Sequence, residues 1–274
     1  MTPADEASAA APAERADGAR PAGALDGARV LIPRGGAWGR RVADEVARRG
    51  ADPIVAPVVM SAPPRDDAAR DRSFAALSAG EYAWLFVTSA ASVEQLALRG
   101  VSVPPATQIA AVGPATARAI AMTGADVAFV PAGESSAAAL VTQWCRGRTP
   151  ASTGRSLVVR SDLATAVVSD ELQLRGYGVD VCIAYRTVGV DLEPQVAREL
   201  RSGGIDIVLL TSLSVGRELR RQVGPLHPSV RVASIGPGTT RDAEAIGFTV
   251  AHTARTQSVD ALLAELDALP KGSS

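Results

Sequence analysis

A chain of 274 residues is long enough for two domains of ordinary size, and 47% hydrophobic against 21% charged residues predicts packed cores. A formal net charge of −1 argues against the broadly basic surface of nucleic-acid-binding proteins, although a local anion site remains compatible with it. The sequence contains no apolar run long enough to span a membrane, so a membrane protein is not expected either.

The first residues predict a tail. Residues 1–24 contain Ala, Pro, Arg and acidic residues without an apolar period, and we expect disorder over 1–27. The opening has no apolar core behind a basic start, so no secretory signal is predicted. Cys145 and Cys182 form no CxxC pair, and we interpret them as small buried side chains. Free thiols favour a cytoplasmic location.

From residue 28 onwards, short Val/Ile/Leu runs alternate with segments rich in Ala, Arg and Glu. In chain order, the first half predicts a strand at 29–32, a helix at 39–50, strands at 84–89 and 109–113, a helix at 114–122, a strand at 128–131 and a helix at 136–144. This alternation is typical of parallel sheets that are covered by helices.

The second half of the chain repeats the first in the same order. The segment VLIPRG (30–35) returns as SLVVRS (156–161), and AAVGPATARAIAMTG (110–124) returns as ASIGPGTTRDAEAIG (233–247). Two copies of one α/β unit are therefore predicted.

Two short motifs recur at the ends of predicted strands, where open α/β sheets bind ligands. Thr-Ser occurs at 88–89 and 211–212, and Gly-Pro at 113–114 and 236–237. Ser and Thr favour the N-cap of a helix, and proline is tolerated in its first turn, so each motif predicts the start of a helix. The backbone N–H groups of a first helical turn have no acceptor within the helix and would point outwards from each loop. The loops therefore predict helix N-termini suited to carboxylate or phosphate, although the same residues can serve folding alone.

Other chemistries have no support in the sequence. Residues 34–39 lack the GxGxxG spacing and 236–240 lack the lysine of a P-loop, so no nucleotide site is predicted. His227 and His252 have no ligand partner at suitable spacing, and no GxSxG elbow accompanies them. We expect no metal and no cofactor.

Taken together, these motifs resemble the uroporphyrinogen-III synthase family over about residues 30–266. The matching pieces are Thr88-Ser89, AVGPATA (111–117), AYRT (184–187), Thr211-Ser212 and SIGPGTT (234–240). The resemblance implies an α/β fold: two similar Rossmann- or flavodoxin-like domains with parallel sheets, joined by a two-stranded β-ladder.

The resemblance also implies a discontinuous arrangement. Domain 1 would take residues 28–56 and 190–269, and domain 2, residues 61–184, would be inserted in it. The linker segments would be 57–60 and 185–189, within the β-rich stretches 53–60 and 179–187. The substrate cleft would lie between the domains.

The reaction that the resemblance implies belongs to haem biosynthesis. Hydroxymethylbilane, a linear tetrapyrrole with eight carboxylates, is cyclised by a lyase with inversion of the terminal pyrrole and loss of water. The pyrrole nitrogen expels the hydroxyl, so the enzyme must protonate the leaving oxygen, fold the chain and exclude water. We expect a monomer that has this substrate as its partner and binds neither nucleic acid nor membrane.

Tyr185 matches the linker-strand tyrosine of the family and is implied as the acid or hydrogen-bond donor. Val59 occupies the equivalent position of the other copy, so the fold does not require a tyrosine there; a hinge tyrosine is the alternative. The implied substrate-binding residues are Arg34, Thr88, Ser89, Ala90, Gly113, Arg160, Ser212, Leu213, Gly236 and Thr239. For the two arginines, a solvated or salt-bridged surface role is the alternative.

Two rival interpretations stay open at this point. The first is a non-catalytic relative that keeps the fold as a ligand-binding or regulatory module. The second is a hinged binding protein of the periplasmic type, against which the absence of a predicted secretory signal counts.

Overall fold

The computed structural model describes residues 23–270, which form two five-stranded sheets with helices on both faces. In chain order the strands are β1 (Arg29–Ile32), β2 (Asp52–Val55), β3 (Val59–Ala62), β4 (Trp84–Val87), β5 (Gln108–Ala111), β6 (Ser156–Ser161), β7 (Val179–Gly189), β8 (Ile207–Leu210), β9 (Arg231–Ser234) and β10 (Val250–Thr253).

The helices are α1 (Gly36–Arg48), α2 (Asp67–Ser78), α3 (Ala90–Leu98), α4 (Pro114–Ala121), α5 (Ala137–Trp144), α6 (Pro150–Thr153), α7 (Val167–Leu174), α8 (Pro194–Ser202), α9 (Leu213–Val223), α10 (Pro237–Ala245) and α11 (Val259–Asp267). Among residues 23–270, none of them has the length and apolar character needed to cross a bilayer.

The first sheet is all parallel, in the order β10-β9-β8-β1-β2. The second has the order β3-β7-β6-β4-β5 and is parallel except for the β3–β7 pair. Strands β4 and β8 are buried along their whole length, as expected for Val/Leu-rich strands that are covered on both faces. The predicted fold class, two similar α/β units with largely parallel sheets, is confirmed.

A two-stranded antiparallel ladder connects the two halves, but its strands differ from the predicted ones. The stretch 53–60 is interrupted around Pro57, which lacks a backbone N–H. Its first part belongs to β2 in the first sheet, whereas β3 starts at Val59 and pairs with residues 186–189 of β7. Because β7 also pairs with β6, the ladder is continuous with the second sheet.

The distribution of strands is the one expected for a discontinuous arrangement. The first sheet takes strands from 29–55 and 207–253, and the second takes strands from 59–189. The assignment of 28–56 with 190–269 and of 61–184 to separate domains stays a prediction; it requires that the inserted segment fold cooperatively by itself.

Two local predictions need correction. The segment 128–131 is not a strand, because Phe129 forms only a single bridge to Ala110 and Pro131 follows without an N–H. The predicted tail is also too long: Leu25 is fully buried in the core of the first sheet, and the Ala24 N–H donates to the Leu269 carbonyl at 2.8 Å. Residues 1–22 of that tail lie outside the described residues.

Candidate active site

A cavity of about 530 Å³ lies between the two sheets, at the carboxyl ends of their parallel strands. Its volume is within the range of about 300–1,000 Å³ that is usual for small-molecule sites. Residues that follow β4 and β5 line one side, residues that follow β1 and β8 line the other, and ladder residues such as Val59 and Thr187 also contribute. The cavity therefore lies between the two halves, at the place where the substrate cleft is predicted.

We name the two sides by the sheet that supplies them. The first-sheet wall consists of Arg34, Thr211, Ser212, Leu213, Ser214, Arg217, Ile235 and Gln257, and the second-sheet wall consists of residues 88–91, 112–116, 135–137, 161, 163–165, 168 and Tyr185.

Helix N-termini meet at this cavity from both walls. In the second-sheet wall, Ser89 caps α3 and Ser136 caps α5, each accepting a backbone N–H in the first turn of its helix. Gly113 precedes α4, which starts with a proline. In the first-sheet wall, Ser212 caps α9 through the Val215 N–H. The positive ends of four helix dipoles are thus directed towards one space, which favours an anionic ligand.

The phenol of Tyr185 joins this arrangement from β7. Its Oη lies 3.2 Å from Ser89 Oγ, and the Tyr185 side chain is only 7% exposed. Ser89 Oγ also accepts the Ser92 N–H at 3.1 Å and lies 3.0 Å from Ser92 Oγ. When Ser89 donates its hydroxyl proton to Tyr185, the phenolic O–H is free to point to a ligand.

The charged groups on the cavity are both positive. Arg34 and Arg217 line it, whereas no Asp or Glu is found among its lining residues in the described part of the chain. Arg34 lies over the Trp38 ring, with its Cζ 5.2 Å from the ring centroid, and this contact orients the guanidinium. An anion would therefore meet attraction from side chains as well as from helix N-termini.

Comparison with known proteins decides the family. The family model for uroporphyrinogen-III synthase HemD matches residues 40–264 of the chain. The chain belongs to the uroporphyrinogen-III synthase family. No curated sequence matches it at a significant level.

Solved structures of uroporphyrinogen III synthases share the fold. A selenomethionine mutant from the extremely thermophilic bacterium Thermus thermophilus superimposes with a TM-score of 0.58 at 18% identity, covering 87% of this chain and 96% of that one. The enzyme from Helicobacter pylori gives a TM-score of 0.54 at 15% identity, covering 87% and 97%. At these identities the likeness establishes the synthase fold, while the family assignment depends on the sequence model.

Most of the residues predicted for the synthase site reach the cavity. Tyr185 and seven of the predicted binding residues line it: Arg34, Thr88, Ser89, Ala90, Gly113, Ser212 and Leu213. Their roles towards substrate stay predictions.

Three predicted binding residues do not line the cavity. Arg160 donates from Nη1 to the carbonyl oxygens of Ser161 and Ala164 in its own loop, whereas its Nε is buried without a hydrogen-bond partner among the described residues. Thr239 is buried in the first turn of α10. Gly236 is covered by Gln257, whose Cγ lies 3.3 Å from where a Cβ at Gly236 would stand. Gly113, at the equivalent place in the other copy, is also buried, against Ser135, but it still contributes to the lining of the cavity.

Several lining residues of the synthase were not predicted. Ser135 and Ser136 stand before the apolar helix α5, and a serine before an apolar run is a helix-start signal that would have found them. Arg217 follows Ser214 by one helical turn, so the two share a face of α9. Gln257 precedes the cap of α11 and has no sequence signal that separates it from an ordinary surface residue.

The described residues include no group of three or more His, Cys, Asp or Glu that could hold a metal ion. Both histidines have local partners: His227 Nδ1 lies 2.8 Å from Ser229 Oγ, and His252 Nε2 lies 3.0 Å from Glu265. Burial raises the pKa of the Cys182 thiol to about 11, so this thiol is a poor nucleophile at neutral pH.

We expect Gly113→Ala to destabilise the protein by about 1–3 kcal/mol through overpacking. The added Cβ would stand 2.5 Å from Ser135 Oγ and 2.7 Å from Ser135 Cβ, although the extended backbone at Gly113 suits any residue. Gly238→Ala is the matched control, because nothing lies within 4 Å of its Cβ position and the first copy has Ala115 there. Urea unfolding should give Gly238→Ala an equal or higher midpoint than the wild type, and equal midpoints for the two variants would contradict the steric argument.

Proposed function

We propose that this chain is a uroporphyrinogen-III synthase that cyclises hydroxymethylbilane, with inversion of the terminal pyrrole and loss of water. The observation that carries the proposal is the phenol of Tyr185, hydrogen-bonded to the cap of a helix beside a cavity whose charged residues are two arginines. That combination suits a substrate with many carboxylates and a neutral leaving group that must accept a proton.

The chemistry divides between the substrate and the protein. The electron pair of the pyrrole nitrogen expels the terminal hydroxyl, the C–O bond breaks, and the hydroxyl leaves as water after it accepts a proton. Because the last pyrrole is inverted, the cationic carbon bonds to the α-carbon of that pyrrole that already carries the bridging methylene. The older carbon–carbon bond to this methylene then breaks, and the methylene bonds to the free α-carbon of the same pyrrole, which loses the proton that balances the one taken up. The substrate itself supplies the driving electron pair, so no protein nucleophile is required.

The protein has three tasks in this scheme. Tyr185 donates a hydrogen bond to the leaving hydroxyl, while the Ser89 hydroxyl donates to the phenol oxygen of Tyr185 and orients it. The helix N-termini and the two arginines bind carboxylates. The space between the sheets holds the linear chain in a folded shape, so that its two ends meet and the type III closure competes with simple head-to-tail closure.

We also propose that the enzyme is a monomer and that it acts in the cytoplasm.

The decisive experiment supplies enzymatically generated hydroxymethylbilane and separates the type I and type III ring isomers. We expect mainly type III product from the purified chain, with the same rate after treatment with a chelator. A reaction without protein is the control, because it gives only type I. Type I alone in the presence of the chain, despite substrate binding, would favour the non-catalytic relative.

A further inference from the structure

The two walls of the cavity differ in charge. Both arginines of the cavity, Arg34 and Arg217, belong to the first-sheet wall. The repeat counterpart of Arg34 in the second half is Arg160, and its guanidinium is bound to backbone carbonyls of residues 161 and 164 instead. The second-sheet wall therefore presents hydroxyl groups, helix N-termini and Tyr185, but no cationic side chain.

Arg217 differs from Arg221 on the same helix, α9. Arg221 is ion-paired with Glu218 and lies 3.2 Å from Asp191, so its charge is compensated within the protein. Arg217 is exposed and has no ion pair or hydrogen bond among residues 23–270. Ser214, one turn earlier on the same face, also lines the cavity and lies 3.0 Å from Ser212 through its hydroxyl. A guanidinium without an ion-pair partner among the described residues therefore lies near two serine hydroxyl groups in the N-terminal part of α9.

We propose that Arg217 binds a carboxylate of the substrate and that, together with Arg34, it holds side-chain carboxylates of the pyrroles remote from the reacting ends on the first-sheet wall. The reacting ends of the substrate then lie on the second-sheet wall, where Tyr185 and Ser89 stand and where the N-termini of α3, α4 and α5 are available for the carboxylates of the terminal pyrroles. This inference rests on the proposed function and assigns an orientation to its substrate. A planar guanidinium suits the role because it can bind a carboxylate through two parallel hydrogen bonds.

The orientation predicts a division between binding and turnover. A carboxylate far from the reacting bond is held equally in the ground state and the transition state, so losing its anchor raises KM and leaves kcat nearly unchanged. We expect Arg217→Gln to raise KM for hydroxymethylbilane by about tenfold, with kcat within about twofold of the wild type. Arg217→Lys keeps the charge without the fork and should give an intermediate KM.

Arg198→Gln is the matched control. Arg198 is exposed on α8 and does not line the cavity, and within residues 23–270 its one hydrogen-bond partner is the neutral Gln195. The substitution removes the same charge from the same half of the molecule, and we expect the wild-type KM and kcat.

Ionic strength provides a second readout: KM of the wild type should rise with salt more steeply than KM of Arg217→Gln, because the variant has one fewer charge to screen.

The outcomes separate the two proposals. Type III product from the wild type together with an unchanged KM in Arg217→Gln would overturn the assignment of Arg217 and leave the proposed function in place. A fall in kcat without a change in KM would place Arg217 at the reacting end and would also overturn the orientation. Type I product alone from the wild type would remove the proposed function and this inference with it.

Discussion

Replacing Tyr185 by phenylalanine should lower kcat for type III formation by about 100-fold. General-acid assistance contributes typically about 10²–10⁴-fold, and the low end is expected here because the pyrrole nitrogen itself drives the hydroxyl out. The substitution removes one donor and hardly changes side-chain volume. KM should change little, because the phenol acts on the leaving oxygen rather than on a carboxylate.

The other two tyrosines provide matched controls for this experiment. Tyr82 Oη donates to Asp180 at 2.8 Å and Tyr177 Oη donates to the Arg148 carbonyl at 2.9 Å, and neither residue lines the cavity. Phenylalanine at either position should affect stability alone, with the wild-type kcat in the remaining folded enzyme. If Tyr185→Phe also keeps full turnover, the tyrosine is a hinge residue and bound water becomes the first candidate for the acid.

Trp144→Ala should be the most destabilising of these substitutions, at about 3–5 kcal/mol. Trp144 is 0% exposed at the end of α5 and contacts Trp84, Phe86 and Tyr177 edge to face, with ring centroids 5.1, 4.9 and 5.2 Å away. Alanine would leave a large cavity in this aromatic cluster, and neighbouring rings cannot collapse into it without losing their own contacts. Since folded proteins are stable by about 5–15 kcal/mol, the loss would bring the second-sheet half close to unfolding.

Urea unfolding followed by circular dichroism measures this effect as a shift in midpoint. Trp38→Ala is the control: Trp38 is half-buried on α1 against the other sheet, so we expect a loss of only about 1–2 kcal/mol. Equal losses for the two tryptophans would show that the aromatic cluster contributes nothing beyond the burial of one side chain.

Much of the site could be predicted from the sequence because the relevant signals are local. A Thr-Ser pair after an apolar strand specifies both the end of the strand and the cap of the next helix, and this held at Ser89 and Ser212. The same reasoning extends to Ser136, whose signal was present before α5. Tyr185 needed more than a local signal, since its place beside Ser89 depends on a contact between residues that are 96 positions apart.

The errors arose where local sequence is equivalent and the surroundings differ. Gly113 and Gly236 both precede a proline at a helix start, but a serine lies over the first and a glutamine over the second. Arg34 and Arg160 follow equivalent positions in the repeat, yet only Arg160 has carbonyl acceptors within its own loop. A repeat therefore predicts which loops are alike, but not which of them contact a ligand.

By itself, the sequence determined the α/β class, the duplication, the family and the edge of the sheets at which a site would form, because strand burial, helix caps and repeated motifs depend on neighbours along the chain. The tertiary structure decided which of the paired loops face the cavity. It also decided that Arg217 lies there without an ion-pair partner among the described residues, and that both positively charged side chains belong to the first-sheet wall. These features depend on side chains brought together from distant parts of the chain, and whether each polar group finds a partner is settled only when those parts are packed.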